Sequence, residues 1–355
     1  MTGPIGYYVH HHGDGHRQRA LAIAESVGAG ITLLGTGLAG RTGAVSAIDL
    51  PDDRVADVFS GADRCGDSCG ERPPALHYAP FDHDGVRRRT AEITHWIAEA
   101  RPGLMVVDVS VEVAMLARLA SVPTVYVRLS GVRDDRPHVD AFASACALLA
   151  PFHAALEDPA TPPEVVARTF YAPGIIRAAP VAEVDERCIL VVLGSGGGDG
   201  DGARWAEAAR AVPDHRWEVL GACNVPSDMP GNLRMHGWID DADGAIARAG
   251  LVIGAAGDGL VSAVLARRKP FLCLPEARPF DEQRSKARRL AALEAAVVIW
   301  TWPPASDWPL LIARAFEQRR GGWPPALDTA EGAARVAAWL TTLLPQAASA
   351  QRARS

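Results

Sequence analysis

The sequence predicts an α/β protein built from two doubly wound parallel sheets. Short apolar runs alternate with amphipathic helical stretches, from "IGYYVH" at residues 5–10 to "AVVIW" at residues 296–300. Strands that are apolar on both faces are typical of parallel sheets covered by helices on each side. The chain has 355 residues, more than one domain usually holds, and the alternation runs twice, so we expect two cores.

The domain boundaries follow from breaks in this alternation. We predict an N-terminal domain over residues 1–178, a second domain over 179–328, and a C-terminal segment over 329–355. That last segment begins as a helix with Thr329 as its N-cap residue, packs back on the first domain and ends in a tail. Prolines, small residues and charges with little periodicity mark a linker near 178–187.

Composition narrows the functional classes. The formal net charge is −6, without the basic excess that nucleic-acid binding needs, so we expect no nucleic-acid partner. The N-terminus lacks a basic region followed by an apolar core, and Asp108, Glu112 and Arg118 interrupt the most apolar stretch. These features predict a cytoplasmic protein with no transmembrane segment, and they leave peripheral membrane contact open.

The first strand and helix, "IGYYVHHHGDGHRQRALAIAESV", meet in a turn that is a candidate site. Gly13 and Gly15 lie in this turn, and His16 lies in the first helical turn. In a parallel sheet the turn is at the carboxyl edge, where ligands bind, and a helix N-terminus favours negative charge. Strand alternation predicts that His10 and His11 point to opposite faces.

Metal binding is not indicated by the sequence. His12 and His16 have a suitable spacing but no evident acidic or cysteine partner. Cys65 and Cys69 lie in a long irregular segment over 52–84 and could form a local disulfide or half of a metal site. No second pair follows at zinc-site spacing, and the other four cysteines lie in apolar runs, so we expect reduced thiols and no metal.

Three segments of the second half carry a similar signature. "VVLGSGGGDG" at 191–200 is a strand with a glycine loop, "LRMHGWIDD" at 233–241 is a short strand with a turn, and "LVIGAAGDGLVSAVLA" at 251–266 is a strand, a glycine loop and a helix. A polar loop at 281–283 precedes a further helix. Neither a full dinucleotide fingerprint nor a Walker sequence is present, so the specific signal is the ordered set.

This ordered set resembles the inverting glycosyltransferases of the GT-B fold, and among them the family 28, MurG-like type. "HGDGHRQRALAIA" matches the first glycine loop of that family, and "LGSGGGDG" resembles its second. The segment from "GWIDD" to "DEQRSKA" resembles the donor-binding core in order and spacing. The resemblance covers most of the chain. It implies two facing Rossmann-like domains with a deep interdomain cleft, an acceptor-binding N-terminal domain and a donor-binding C-terminal domain.

The resemblance also implies roles for individual residues. The backbone of Trp238 and Ile239 would face the nucleobase, the amides of 257–260 would hold the diphosphate, and Gln283 would contact the sugar. The segment "APGIIR" weakly resembles a Gly-x-x-x-Arg motif and makes Arg177 a phosphate candidate. The complete set of implied donor-binding residues is Gly15, Arg177, Gly194, Ser195, Gly196, Trp238, Ile239, Gly257, Asp258, Gly259, Leu260, Glu282 and Gln283.

Three departures from the family pattern concern the nucleotide. Ala263 stands where the family usually has a glutamate that grips the ribose, and Leu260 stands where it often has a threonine. Asp258 places a carboxylate in a loop expected to face phosphate, which is unfavourable unless the side chain turns away or binds a cation. UDP is therefore the leading donor nucleotide, with ribose recognition that must differ from the family's.

The expected function is inverting transfer of a sugar from a UDP-sugar, such as UDP-GlcNAc, to a small-molecule or lipid-linked acceptor. His16 is the candidate base, and Asp108, at the end of "LMVVD", would orient His16 or the acceptor unless it is a solvated strand-end aspartate. Glu112 is a second choice, and loops 52–84 and 129–137 are expected to bind the acceptor. The nucleotide sugar is a co-substrate, and no obligatory metal or other cofactor is expected.

Two alternatives keep the fold and change the function. Asp258 and Ala263 suggest a catalytically degenerate protein that binds a nucleotide sugar or a partner enzyme. Against this, His16 and Gln283 keep their motif positions. A nucleotide-sugar 2-epimerase shares the two-domain architecture, but the sequence contains no strong match to one.

Overall fold

The computed structural model describes residues 3–11, 14–54, 75–176, 183–194, 200–327 and 331–352, with backbone only from residue 345. Two parallel sheets with helices packed on them make up this part of the chain. No helix within these ranges combines the length and the apolar character needed to cross a bilayer.

The N-terminal sheet contains seven parallel strands. They are β1 (Ile5–Tyr8), β2 (Ile31–Gly35), β3 (Ala47–Asp49), β4 (Leu104–Asp108), β5 (Thr124–Val127), β6 (Ala147–Ala150) and β7 (Thr169–Tyr171). The helices between them are α1 (Asp14–Val27), α2 (Asp84–Ala100), α3 (Val111–Leu119), α4 (Arg136–Ser144) and α5 (Pro163–Ala167). The strand order is β3-β2-β1-β4-β5-β6-β7, so the order reverses between β1 and β4.

The C-terminal sheet repeats this plan with six parallel strands. They are β8 (Asp185–Val192), β9 (Arg216–Leu220), β10 (Leu233–Gly237), β11 (Ala249–Gly254), β12 (Phe271–Cys273) and β13 (Val297–Val298), in the order β10-β9-β8-β11-β12-β13. The helices are α6 (Gly202–Ala211), α7 (Ala242–Arg248), α8 (Asp258–Ala266), α9 (Glu282–Ala292), α10 (Trp308–Arg320) and α11 (Gly332–Arg352). Here the order reverses between β8 and β11, and ligands of such sheets bind at the reversal points.

The predicted α/β class with two doubly wound sheets is confirmed. The sequence prediction omitted α2, because only Arg89, Ile93 and Ile97 of this helix are buried and more than half of its other residues are polar or charged. A stripe of three residues at four-residue spacing is a weak helical signal, and one member of this stripe is charged.

One hydrophobic cluster joins the two halves. Phe152 and Leu156, which follow β6, are buried in the same cluster as Val261 and Leu265 of α8 and Leu290 of α9. Apolar packing therefore continues from the N-terminal sheet into the C-terminal half.

The terminal helix α11 returns to the N-terminal sheet. Trp339 stacks on Phe170 of β7 with ring centroids 4.5 Å apart and planes 6° from parallel. Val336 and Leu340 are buried in the same cluster as Leu21 of α1. The predicted N-cap residue, Thr329, lies outside the described residues.

Candidate active site

A histidine and an aspartate meet at the carboxyl edge of the N-terminal sheet. His16 lies in the first turn of α1, and Asp108 is the last residue of β4, which pairs with β1. Nδ1 of His16 is 3.1 Å from Oδ1 of Asp108. The structure thus brings together two of the three residues that the sequence proposed for catalysis.

Arg19, one turn further along α1, completes this centre. Its Nη2 donates to both carboxylate oxygens of Asp108 at 2.8 Å each and lies 2.8 Å from Nδ1 of His16. Tyr7 of β1 donates its hydroxyl to Oδ2 of Asp108 at 3.4 Å. Asp108 is 0% exposed and Arg19 is 7% exposed, so the ion pair is buried. Sequence reasoning missed Arg19.

The charges of this centre stabilise each other. Burial by itself would raise the pKa of Asp108, but the Arg19 guanidinium and the His16 imidazole hold that pKa well below its usual value. Burial by itself would lower the pKa of Arg19, but Asp108 raises it overall. Asp108 is therefore a carboxylate at neutral pH, not the solvated strand-end residue considered above, and it can orient the His16 ring.

A strained turn fixes Asp108 at the end of its strand. The next residue, Val109, has a φ of 55°, in the left-handed region that a β-branched residue rarely adopts. The hydroxyl of Tyr126 donates to the carbonyl oxygen of Val109 at 2.5 Å and holds this conformation. Strained backbone of this kind is concentrated at functional sites, where the surrounding structure maintains it.

The prediction that His10 and His11 point to opposite faces is wrong. Their rings stack with centroids 4.9 Å apart and planes 11° from parallel. β1 ends at Tyr8, so strand alternation does not extend to residues 10 and 11. The ring of His10 is 5.4 Å from that of His16, which places it beside the candidate site.

Glu112, the second choice for a catalytic carboxylate, binds backbone instead. Its Oε1 accepts hydrogen bonds from the N–H groups of His77 at 2.7 Å and Tyr78 at 2.8 Å. Its Oε2 accepts from the Ser110 hydroxyl at 3.2 Å. These bonds anchor the segment around residue 77 to the start of α3, and none of them reaches His16.

The first turn of α8 approaches α1 across the interdomain cleft. A Cβ atom on Gly259 would lie 4.0 Å from Cα of Gly15, so the two helix N-termini are close together. Gly257 is the N-cap residue of α8 and makes no side-chain cap. Helix N-termini carry partial positive charge and free N–H groups, so this place suits an anion.

Asp258 opens α8 and binds a buried lysine. Its Oδ1 forms an ion pair with Nζ of Lys286 on α9, whose side chain is 0% exposed, while that of Asp258 is 8% exposed. The sequence left open whether this carboxylate turns away from phosphate or binds a cation. In the structure its partner is Lys286, which sequence reasoning missed.

The two other departures from the family pattern are apolar positions. Leu260 packs against the core cluster, with its Cδ2 over Gly254 at the end of β11. Ala263 is 2% exposed in the same cluster. Neither side chain offers a polar group to a nucleotide.

Gln283 connects the two loops that follow β11 and β12. Its Oε1 accepts hydrogen bonds from the N–H groups of Ala256 at 3.3 Å and Glu276 at 2.8 Å. The side chain is 6% exposed. Gln283 therefore stabilises the edge of the C-terminal sheet at the place where the sequence proposed a sugar contact.

Glu282 lies at a second contact between the domains. Nη2 of Arg133 is 3.3 Å from Oε2 of Glu282, and the N–H of Val132 donates to the Phe280 carbonyl at 2.8 Å. Arg133 also lies over the Phe280 ring, 4.9 Å from its centroid. The loop over 129–137, which was expected to bind the acceptor, thus contacts the segment around Glu282, which was expected to bind the donor.

The remaining sequence-proposed residues follow strands of the C-terminal sheet or lie beyond the described ranges. Trp238 and Ile239 follow β10 and are 61% and 37% exposed. Gly194 follows β8 and is also exposed. Arg177, Ser195 and Gly196, like Cys65 and Cys69, lie outside the residues that the structure describes.

In the described ranges, three potential metal ligands come together in one place, at His77, Asp135 and His138. Asp135 lies 2.6 Å from Nε2 of His77 and 2.6 Å from Nδ1 of His138. Burial by itself would raise the pKa of Asp135, but the hydrogen bonds from the two histidines lower it to about 2. Asp135 is therefore a carboxylate, and both rings donate to it. Nε2 of His138 faces Nη1 of Arg133 at 3.1 Å and accepts from it. Both ring nitrogens of His138 therefore take part in hydrogen bonds in this arrangement.

Neither a protein-family model nor a curated protein matches this sequence. Solved structures do. Arabidopsis thaliana UGT89C1 complexed with quercetin has a TM-score of 0.69 at 13% identity, covering 97% of this chain and 100% of that one. Spinosyn rhamnosyltransferase SpnG complexed with thymidine diphosphate has a TM-score of 0.60 at 16% identity, covering 99% and 100%. MurG from Acinetobacter baumannii has a TM-score of 0.55 at 18% identity, covering 91% and 97%.

The chain has the GT-B fold. The similarity extends over nearly all of each chain, which confirms the predicted two Rossmann-like domains with an interdomain cleft. At these identities the likeness concerns the fold, so the function has to be argued from the site.

Within this GT-B fold, the residues that sequence reasoning missed are cations. Arg19 is three residues after His16, on the same side of α1, and that spacing was a usable signal. Lys286 is one of two lysines in the chain and is three residues after Gln283 on α9. Their carboxylate partners are 89 and 28 residues away, so no local pattern could reveal the pairs.

Proposed function

We propose that this protein is an inverting glycosyltransferase that transfers a sugar from a nucleotide diphosphate donor to an acceptor hydroxyl or amine. The observation that carries the proposal is the His16–Asp108 pair on α1 and β4, with Gly15 of the same turn close to Gly259 of α8. A base in one domain thereby faces an anion-binding helix N-terminus in the other, and inverting transfer needs both.

In this proposal His16 removes the acceptor proton and Asp108 orients the imidazole. Nδ1 of His16 then carries the hydrogen and donates it to Asp108, which leaves Nε2 as the basic nitrogen. The amides at the start of α8 stabilise the leaving diphosphate, together with Arg177. We assign acceptor binding to residues 1–178 and donor binding to residues 179–328, with the nucleobase at Trp238 and Ile239.

The leading donor in this proposal is a UDP-sugar of the UDP-GlcNAc type, and the acceptor is a small molecule or a lipid-linked molecule. A similar structure contains thymidine diphosphate, so TDP-sugars belong in the test. A thermal-shift screen of UDP-, GDP- and TDP-sugars should identify the donor, because a ligand at a hundred times its Kd adds about 2.7 kcal/mol of stability.

Release of nucleoside diphosphate, with and without acceptors, tests the transfer itself. We expect it to persist in EDTA, since no metal is assigned to the reaction. Hydrogen exchange of the full chain with UDP should show protection around 238–239 and 257–260. Protection confined to residues 3–27 would reverse the domain assignment. The full chain is required because the hydrophobic cluster at Phe152 and Leu265 belongs to both halves.

A second candidate function is binding of a nucleotide sugar without turnover. The apolar positions Leu260 and Ala263 and the carboxylate of Asp258 favour it, because each removes a polar contact or adds negative charge near the phosphates. Donor binding without any release of nucleoside diphosphate would support this candidate. An epimerase would reveal itself by a changed sugar in the product.

A further inference from the structure

The ion pair of Asp258 and Lys286 lies at the start of α8, where the proposed function places the donor diphosphate. Lys286 is 0% exposed, and its Nζ contacts Oδ1 of Asp258. Oδ2 of Asp258 is buried and has no hydrogen-bond partner among the described residues. Half of this carboxylate is thus satisfied by a lysine and the other half is unsatisfied, which is a costly arrangement for a purely structural pair.

The buried charges at the centre of the cleft balance without a ligand. Arg19 and Lys286 are cations, and Asp108 and Asp258 are anions. Asp258 is close enough to Arg19 to raise the pKa of that guanidinium, so the four charges belong to one electrostatic neighbourhood. The N-terminus of α8 would attract a diphosphate, but the carboxylate of Asp258 in its first turn repels one.

We propose that Lys286 is the cation that receives the donor diphosphate and that Asp258 is its resident counter-ion while the site is empty. Asp258 occupies the anion position at α8 and keeps the buried ammonium paired. The nucleotide competes with this carboxylate for Lys286. Asp258 therefore lowers the affinity for nucleoside diphosphates, and Lys286 raises it. This inference rests on the proposed function, because it assigns the diphosphate to the first turn of α8.

Calorimetric titration of the full chain with UDP and with TDP tests the pair. Asp258→Asn keeps the shape of the side chain and removes its charge, and we expect it to tighten binding about tenfold. Lys286→Met keeps the length of the side chain and should weaken binding by about tenfold or more. The double variant should return towards the wild-type affinity, because the two charges oppose each other.

The matched control is Asp185→Asn. Asp185 pairs with Arg216 at 2.8 Å at the start of β8, on the opposite edge of the same sheet, so the same chemical change there should leave the affinity unaltered. Melting temperatures show whether each variant is folded. If Lys286→Met fails to fold, the isosteric Asp258→Asn variant decides the matter by itself.

The outcomes separate this inference from the proposed function. If the wild type binds the nucleotide and Asp258→Asn binds it with the same or a weaker affinity, the counter-ion role is overturned. Nucleotide binding itself then still stands. Binding that appears only in Asp258→Asn supports the counter-ion role strongly. If neither the wild type nor any folded variant binds UDP or TDP, the nucleotide site is absent and both proposals are overturned.

Discussion

Arg19 donates from a single nitrogen, Nη2, to both carboxylate oxygens of Asp108, at 2.8 Å each. The same nitrogen is 2.8 Å from Nδ1 of His16, which is itself 3.1 Å from Asp108. Nη2 carries two hydrogens and cannot serve three acceptors well. Nδ1 of His16 is therefore either a donor to Asp108, which leaves Nε2 basic, or an acceptor from Arg19, which places the hydrogen on Nε2. The position of Arg19 decides whether His16 can act as a base.

His16→Ala tests whether His16 performs the chemistry. A positioned base contributes about 10²–10⁴-fold, so we expect kcat to fall by a factor in that range. Donor affinity should change little, because the donor is assigned to the other domain. His95→Ala is the control, since His95 is exposed on α2. Near-normal turnover, or a loss of donor binding, would show that His16 is a phosphate-binding or structural residue.

Arg19→Met removes the competing donor and leaves Asp108 buried with the His16 ring and the Tyr7 hydroxyl as its remaining partners. Breaking a buried pair costs about 3–5 kcal/mol, which we expect as a loss of unfolding free energy at pH 7. Wild-type stability gained from the depressed pKa of Asp108 is present above the ordinary value of 3.8 and disappears on acidification below it. The difference between variant and wild type should thus shrink below about pH 4, as urea unfolding at several pH values can measure.

Turnover assays of Arg19→Met test what Arg19 does for activity. If Arg19 holds His16 in the tautomer with the hydrogen on Nε2, its basic Nδ1 is occupied by Arg19, and the folded variant should keep or gain kcat per folded molecule. Arg17→Met is a suitable control, because Arg17 lies on the same helix and donates to Asp14. A loss of kcat as large as that of His16→Ala would instead mean that Arg19 contributes directly to the reaction.

The sequence predicts the site best where strand and helix signals are local. β1, β4, β11 and residues 188–191 of β8 are buried on both faces, so the turns after these strands could be placed at the carboxyl edges in advance. His16 and Asp108 were named from such turns, while a solvated Asp108 at the strand end stayed open as the alternative. The ion pairs of Arg19 and Lys286 could not be predicted, because β4 lies beside β1, and α9 beside α8, only in the folded chain.

The buried His138 should make the stability of the protein fall at acidic pH, independently of catalysis. Burial, and then the Arg133 charge, lower the pKa of His138 from 6.5 to about 4. Between pH 6.5 and pH 4, His138 is therefore protonated in the unfolded chain but not in the folded chain. This stability is fully present above pH 6.5 and is lost as the pH falls towards 4, by about 3 kcal/mol.

His138→Asn should remove this slope, because Asn can still donate to Asp135 but does not titrate. Urea unfolding between pH 7 and pH 4 compares the two proteins. His83→Asn is the control at a histidine of another element, the N-cap of α2. An unchanged slope in His138→Asn would assign the acid lability to other groups. Tight zinc binding that His138→Asn abolishes would contradict the hydrogen-bonded interpretation of this cluster.

Gln283→Leu separates a structural role from a sugar contact. The substitution leaves the N–H groups of Ala256 and Glu276 without their acceptor, at a cost of about 2–4 kcal/mol in unfolding free energy. Gln318→Leu on α10 makes the same change away from these loops and should be nearly neutral. If Gln283→Leu weakens donor binding while stability stays unchanged, the side chain serves the sugar alone.

Ala263→Glu tests the position where the resembling family grips the ribose. Ala263 is 2% exposed and lies in the hydrophobic cluster with Val264 and Leu290, so a carboxylate placed there is buried without a partner arranged for it. We expect a loss of several kcal/mol of stability, on the order of 3 or more, and no gain in UDP affinity. Ala263→Gln has the same size without the charge and shows how much of the loss is steric. Tighter UDP binding by a stable Ala263→Glu protein would mean that this face of α8 is open to the ribose. The ribose pocket would then be intact, and the family's contact would have been lost only through the substitution at residue 263.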